Sequence, residues 1–251
     1  VPEFRMSCSR PLLATILALG ASLVAALPAT AKSHDIELKL RIAAPPPGPR
    51  VVALTFDACS GAIDQRILNL LVENRIPATL FVTHRWMKRN AATMSTLMAH
   101  PELFQIENHG DQHVPAITDI PSLYGVKTAG SLEAVQKEVD GGASAIQLAT
   151  GKPPRWFRGA TAVYSRDALD QIRADGYEVA GFSLNTDMGG SLPAATVAKR
   201  IAAAKSGDVI IAHINQPGHP AGLGVVEGIK RLAASGAVFV KLDDVQTQAS
   251  N

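Results

Sequence analysis

The chain has 251 residues, 47% of them hydrophobic and 18% charged, with a formal net charge of +2. That length supports one domain with a sizeable core. The near-neutral balance, with no basic patch or charge run, argues against a nucleic-acid partner. Aromatic residues make up 5%, so no row of sugar-stacking rings stands out.

Val1 to Arg5 reads as a remnant ahead of a natural start at Met6. Arg10 then precedes a Leu/Ala-rich run from Pro11 to Pro28, and Ala29-Thr30-Ala31 fits a small-residue cleavage site. This is the pattern of a secretory signal peptide, favoured over a membrane anchor by its Gly and Ala content and its small-residue exit. Residues 1–31 are therefore expected to be removed on export to the periplasm or the extracellular space, leaving no stable membrane span. Cys8 falls in that segment, so the mature chain keeps only Cys59 and has no internal disulfide framework. Cys59 is read as a small buried apolar residue in preference to a thiol near a site. Residues 32–50 form a Pro-rich N-terminal segment, in which Ala43 to Pro49 is a stiff extended linker.

From Val51 to Phe56 a β-branched and apolar run predicts a buried strand, which delivers Asp57 to its C-terminal end before the turn at Gly61. A helix follows, with Ile63, Ile67, Leu70 and Leu71 at helical spacing, and a second is expected from about Met87 to His100. Phe104 to Asn108 reads as a strand. Ser131 opens a helix with Leu132, Val135 and Val139 on one face, weakened or broken at Gly141-Gly142, since each glycine costs about 1 kcal/mol relative to alanine there. Trp156 to Arg158 is a short strand, Arg166 to Asp175 a helix ended by Gly176, and Glu178 to Leu184 a strand. Ala194 to Lys205 is a helix, Asp208 to Ala212 a strand ending at His213, Gly224 to Ser235 a helix, and Ala237 to Leu242 the last strand. Repeated βα units imply a parallel sheet with helices outside, either an open doubly wound sheet or a barrel.

An acid at the end of a buried parallel strand is where an α/β enzyme places its chemistry, although Asp57 alone could equally cap the next helix. A second element separates these readings: in His109-Gly110-Asp111-Gln112-His113, two histidines four residues apart fall on one side of a helical turn and can face one ion. Asp57, His109, His113, Arg158, Asp187 and His213 all lie at or just past C-terminal strand ends, so a barrel would gather them in one mouth.

At these residues the chain resembles the polysaccharide deacetylases, the family-four carbohydrate esterases. Leu54-Thr55-Phe56-Asp57 resembles the first motif, T-F-D-D, and Phe104 to His113 the second, an apolar strand followed by N-H-x-x-x-H. Ile76 to Val82 is similar to the family's second strand, Phe157-Arg158-Gly159 to motif three, Thr186-Asp187 to motif four, and Ile211-Ala212-His213 to motif five. The likeness covers about Val51 to Leu242. It implies a distorted (β/α) barrel of about seven parallel strands, with residues 51–251 as the deacetylase-like catalytic domain. It implies a hydrolase that removes acetyl groups from a polysaccharide or N-acetylated glycan. Asp57 would be general base and His213 general acid. Arg158 would orient the base, Asp187 would support the acid, and the backbone N–H of Thr161 would face the oxyanion. A divalent metal, expected to be zinc, would bind at His109 and His113. His34, His84, His100 and His219 have no motif support and read as non-catalytic.

The departures are specific. The family's second Asp, a metal ligand, is replaced by Ala58, so the metal site is expected to be weak or altered unless Asp57, Asp111 or Cys59 fills the gap. Met188 stands where motif four has Trp, and Gly159-Ala160-Thr161 departs from motif three. Two other readings compete: a catalytically silent carbohydrate-binding protein on the same barrel, and an amidohydrolase attacking a small cyclic amide.

Overall fold

In the computed structural model the described residues are 1–3 and 36–250, so the expected signal segment lies outside them. The parallel strands that position the site are β1 (Val51–Ala58), β2 (Ala78–Val82), β3 (Phe104–Asn108), β4 (Trp156–Phe157), β5 (Glu178–Val179), β6 (Leu184–Asn185), β7 (Val209–His213) and β8 (Val238–Val240). They follow the order β5-β4-β3-β2-β1-β7-β6, and β8 pairs with the first half of β1. This is the expected distorted barrel: seven strands on one path, an eighth at the base of β1, and helices outside.

β1 is buried along its whole length because it separates two apolar layers. Val52, Leu54, Phe56 and Ala58 pack with helix residues such as Ile67, Leu71, Val197 and Ile229. Val51 and Ala53 turn the other way, towards Phe81, Trp156 and Val209 inside the barrel. Period-two alternation therefore sends residues 55 and 57 inward as well.

The helices are α1 (Gln65–Glu73), α2 (His84–Arg89), α3 (Ala91–Ala99), α4 (Leu132–Thr150), α5 (Arg166–Ala174), α6 (Ala194–Ala202) and α7 (Ala221–Ala234). The single helix expected over 87–100 is thus two, broken at Asn90. The Asn90 amide donates to the carbonyl of Gly61 at 2.9 Å and accepts from the N–H of Ile63 at 3.1 Å, which ties the break to the loop that follows β1.

Helix α4 was expected to weaken at Gly141-Gly142, yet it runs through both. Packing explains this: a Cβ on Gly142 would overlap the Asn108 side chain and come within 2.7 Å of the Gly110 carbonyl carbon. The glycines let α4 press against the loop carrying the two histidines.

The strand expected over 178–184 is also interrupted, leaving β5 and β6 with a bend at Ala180 to Ser183. There the N–H of Phe182 bonds the carbonyl of Leu38 at 3.3 Å, and Gly181 has no room for a side chain against Leu38. Residues 36–42 of the N-terminal segment are therefore integral to the fold. Leu38 and Leu40 are buried, Ile36–Glu37 pairs antiparallel with Val163–Tyr164, and Lys39–Ile42 pairs with Thr247–Ser250. Among the described residues no helix is long and apolar enough to cross a membrane.

Candidate active site

The register of the sheet sets the site. Asp57 on β1 pairs with His213 on β7 and with Phe81 on β2, and Asn108 at the end of β3 pairs with Phe157 on β4. The residues that follow each strand end, His109 and Arg158 among them, emerge at one level on one face of the sheet.

Arg158 is fully buried and fans its guanidinium across the barrel. Nη1 lies 2.9 Å from Asp57 Oδ1 and 3.0 Å from Thr55 Oγ1, Nη2 donates to the Gly181 carbonyl at 2.9 Å, and Nε donates to that of Ala180. The carbonyls freed by the break between β5 and β6 are thus the acceptors that hold this arginine. The Phe81 ring centroid lies 4.2 Å from its charged carbon, adding a cation–π contact. Burial opposes ionisation of Asp57, but the charges of Arg158, His109 and His213 outweigh it and hold the carboxyl below its ordinary range.

His109 and His113 do come together, with ring centroids 5.0 Å apart, but not on a helical turn. Residues 109–113 form a loop with positive φ at Gly110 (93°) and His113 (67°). What shapes it is Glu138 on α4, a buried carboxylate that accepts the N–H groups of Gln112 and Val114 at 3.0 and 2.9 Å. His109 Nδ1 lies 2.6 Å from the carbonyl of Arg158. A carbonyl only accepts, so Nδ1 carries the hydrogen, and Nε2 is aimed at Asp57 Oδ2, 3.8 Å away, and at Cys59 Sγ, 3.5 Å away.

Of the two readings of Cys59, a small buried apolar residue or a thiol near the site, its position favours the second. Two residues beyond Asp57, its sulfur lies with the ring nitrogens of His109 and His113 in a group whose ligand atoms are all within 4.8 Å of one another. Burial would raise its pKa, but His109, with hydrogen bonding from His113 and His213, brings the thiol well below the usual range. Asp111 takes no part, because its carboxylate is held by His84 Nδ1 at 2.7 Å. Ala58 packs among the helix-facing apolar residues. The even spacing from Asp57 to Cys59 was the sequence signal that both would share a face.

Beside the cluster, Asp187 accepts the backbone N–H of His213 at 2.7 Å and faces its Nδ1 at 3.0 Å. Burial works against the imidazolium, but Asp187, aided by Cys59, raises the pKa of His213 well above the ordinary histidine value. Thr161 lies in the turn after Arg158 with φ 68° and ψ −10°, and Ala162 follows at φ 54°. Consecutive left-handed non-glycine residues cost of order 1–3 kcal/mol each, so the surrounding structure must hold this turn in place. Asp57, Arg158, His109 and His113 are thus gathered at this strand-end face together with the Asp187–His213 pair, and Thr161 lies in the turn that follows Arg158. His84 and His219 serve structure, His219 facing the carbonyl of Gly190 at 3.1 Å.

Cys59, His109 and His113 offer a soft sulfur and two imidazoles, a donor set that suits zinc and leaves positions open for water or substrate.

The profile of the Polysaccharide deacetylase family matches residues 44–180. Among solved structures, a CE4 family pseudoenzyme from Bacillus anthracis has a TM-score of 0.64 at 17% identity, over 80% of this chain and 66% of its own. The chain thus spans about two thirds of that protein's length. The peptidoglycan deacetylase PdaC from Bacillus subtilis has a TM-score of 0.64 at 22% identity, covering 79% of this chain and 91% of its own. A family 4 acetyl xylan esterase from Clostridium thermocellum, solved with a cobalt ion, has a TM-score of 0.62 at 23% identity, covering 78% and 89%. At these identities the likeness establishes the fold. No curated protein matches the sequence.

Proposed function

Because the chain belongs to the polysaccharide deacetylase family, we propose that it is an exported, metal-dependent hydrolase that removes acetyl groups from a glycan. The observation that carries this reading is the convergence of a buried Asp57–Arg158 pair, two histidines with a thiol, and an Asp187–His213 pair at one end of the barrel. His109 and His113 would hold the metal. What a divalent cation supplies when bound in such a site is Lewis acidity towards a carbonyl oxygen and a lowered pKa for water.

The chain's own residues divide the remaining work. Asp57, kept ionised by Arg158, takes a proton from the attacking water. His213, kept protonated by Asp187, stands ready to give one to the departing nitrogen or oxygen. The backbone N–H of Thr161 is the oxyanion donor. Export rests on the Leu/Ala-rich run and on Ala29-Thr30-Ala31. N-terminal sequencing of protein from its native host is expected to begin near Lys32, and an uncleaved cytoplasmic chain would overturn that part.

Acetate release from a panel of acetylated chitin oligomers, peptidoglycan and xylan, measured with zinc present, tests the activity. Release from at least one glycan, abolished by Asp57→Asn, is the expected result. The second reading, a silent glycan-binding protein, is favoured by the methyl group at Ala58 in place of a carboxylate. Glycan binding without acetate release at any zinc concentration would establish it instead.

A further inference from the structure

We propose that Cys59 is the third protein ligand of the metal, so that a thiolate does in this chain what a carboxylate does in relatives carrying the second Asp. The inference rests on the metal-dependent reading of the site and adds to it the identity of the ligand and the kind of metal it selects.

Three observations carry it. The Cys59 sulfur lies 3.5 Å from His109 Nε2. A zinc–sulfur bond of about 2.3 Å and a zinc–nitrogen bond of about 2.0–2.1 Å, meeting at the tetrahedral angle, put the two ligand atoms about 3.5 Å apart. The spacing is that of two neighbouring ligands of one ion, and His113 joins the group within 4.8 Å.

His109 also presents the lone pair that coordination requires. Its Nδ1 hydrogen is committed to the Arg158 carbonyl, which leaves the Nε2 lone pair facing the sulfur. A ring fixed from behind by a carbonyl is the usual support of a metal-binding histidine.

The third observation concerns position 58. Ala58 is fully buried and packs with Phe56, Trp86 and the helix-facing core, so the thiol comes from the next residue of the chain. Cys59 is partly exposed, at the site itself.

A Cys-His-His set is softer than an Asp-His-His set. It favours zinc and cobalt over magnesium and manganese, whose preference is for oxygen ligands.

The test uses the full-length chain with Cys8→Ser, which leaves Cys59 as the single thiol. Metal-free protein titrated with cobalt(II) is expected to bind one equivalent and to show a near-ultraviolet thiolate-to-cobalt charge-transfer absorption. Cys59→Asp is expected to bind cobalt without that absorption, and Cys59→Ser to bind at least about 10-fold more weakly. In the same single-thiol protein, zinc added before iodoacetamide is expected to protect Cys59 from alkylation. That measurement needs no variant at the site, so it stands even if a Cys59 substitution impairs folding. Cobalt bound without the absorption, no cobalt bound at all, or alkylation unchanged by zinc would each overturn the assignment. The outcome is separable from the deacetylase reading. The charge-transfer absorption without acetate release keeps the ligand and removes the activity, whereas acetate release without the absorption does the reverse.

Discussion

The carbonyl oxygen of Arg158 lies 2.6 Å from Nδ1 of His109, while the guanidinium of the same arginine holds Asp57 at 2.9 Å. One residue therefore orients the His109 imidazole through its main chain and the Asp57 carboxylate through its side chain. Only the second role depends on the side chain. Arg158→Met should leave the Asp57 carboxylate buried without its partner and destabilise the fold by about 3–5 kcal/mol, the usual scale for stranding a buried charge. Adding Asp57→Asn should recover part of that loss, because the two residues are directly coupled. Urea unfolding of the two single variants and the double variant measures the coupling. Strictly additive losses would show that the two residues are not coupled.

Asp57→Asn and His213→Ala should each lower turnover at least about 100-fold, the ordinary scale for losing a general base or acid. Asp187→Asn tests a positioning role. It keeps an oxygen for the backbone N–H of His213 but removes the charge that keeps the imidazole protonated. Its turnover should fall, with KM little changed, because the ring of His213 stays in place. Steady-state kinetics on the best glycan, with circular dichroism to confirm folding, decides this. Normal turnover in Asp57→Asn or His213→Ala would remove that residue from the mechanism.

The barrel and most of the site can be read from local pattern. Val51 to Phe56 is apolar enough to declare a buried strand, and Asp57, Arg158 and His213 follow such runs directly, so their shared face follows from strand direction alone. What the pattern could not carry depends on contacts between distant segments. The histidine pair looks helical by spacing, yet its loop is shaped by Glu138, more than twenty residues away. Asn90 splits a helix because it serves the loop after β1, and Leu38 bends the segment between β5 and β6. Cys59 could have been singled out from the three residues able to fill the gap at Ala58: the odd positions of β1 face inward, and position 59 continues that alternation just past the strand end.

Gly142 separates local propensity from packing. In an exposed helix Gly→Ala would stabilise by about 1 kcal/mol. Here the added methyl would meet Asn108 and the backbone of Gly110, and overpacking of this kind costs about 1–3 kcal/mol. Gly142→Ala should therefore lower the melting temperature. It should also weaken zinc binding, since the displaced loop carries His109 and His113. A melting temperature equal to or above that of the parent would mean that α4 can move away from the loop at no cost.

Glu107 on β3 gives the fold a pH dependence independent of the candidate site. Burial, with the nearby charge of Asp243, raises its pKa to about 7, although Gln105 and the N–H groups of Trp156 and Arg155 hydrogen-bond its carboxylate and act in the opposite sense. An acid whose pKa is raised in the folded state binds more protons there than in the unfolded chain, from the ordinary glutamate range up to about 7. The stability it contributes is present at low pH and is lost as pH rises through that interval. This is opposite in sign to the contribution of Asp57, whose lowered pKa makes the fold lose stability on acidification. Glu107→Gln carries no titrating proton, so its stability should change less between pH 5 and pH 8 than that of the parent, whatever its absolute value. Chemical denaturation at pH 5, 6, 7 and 8 gives both slopes. Parallel slopes would show that Glu107 stays ionised across this range and that its three hydrogen-bond donors outweigh burial.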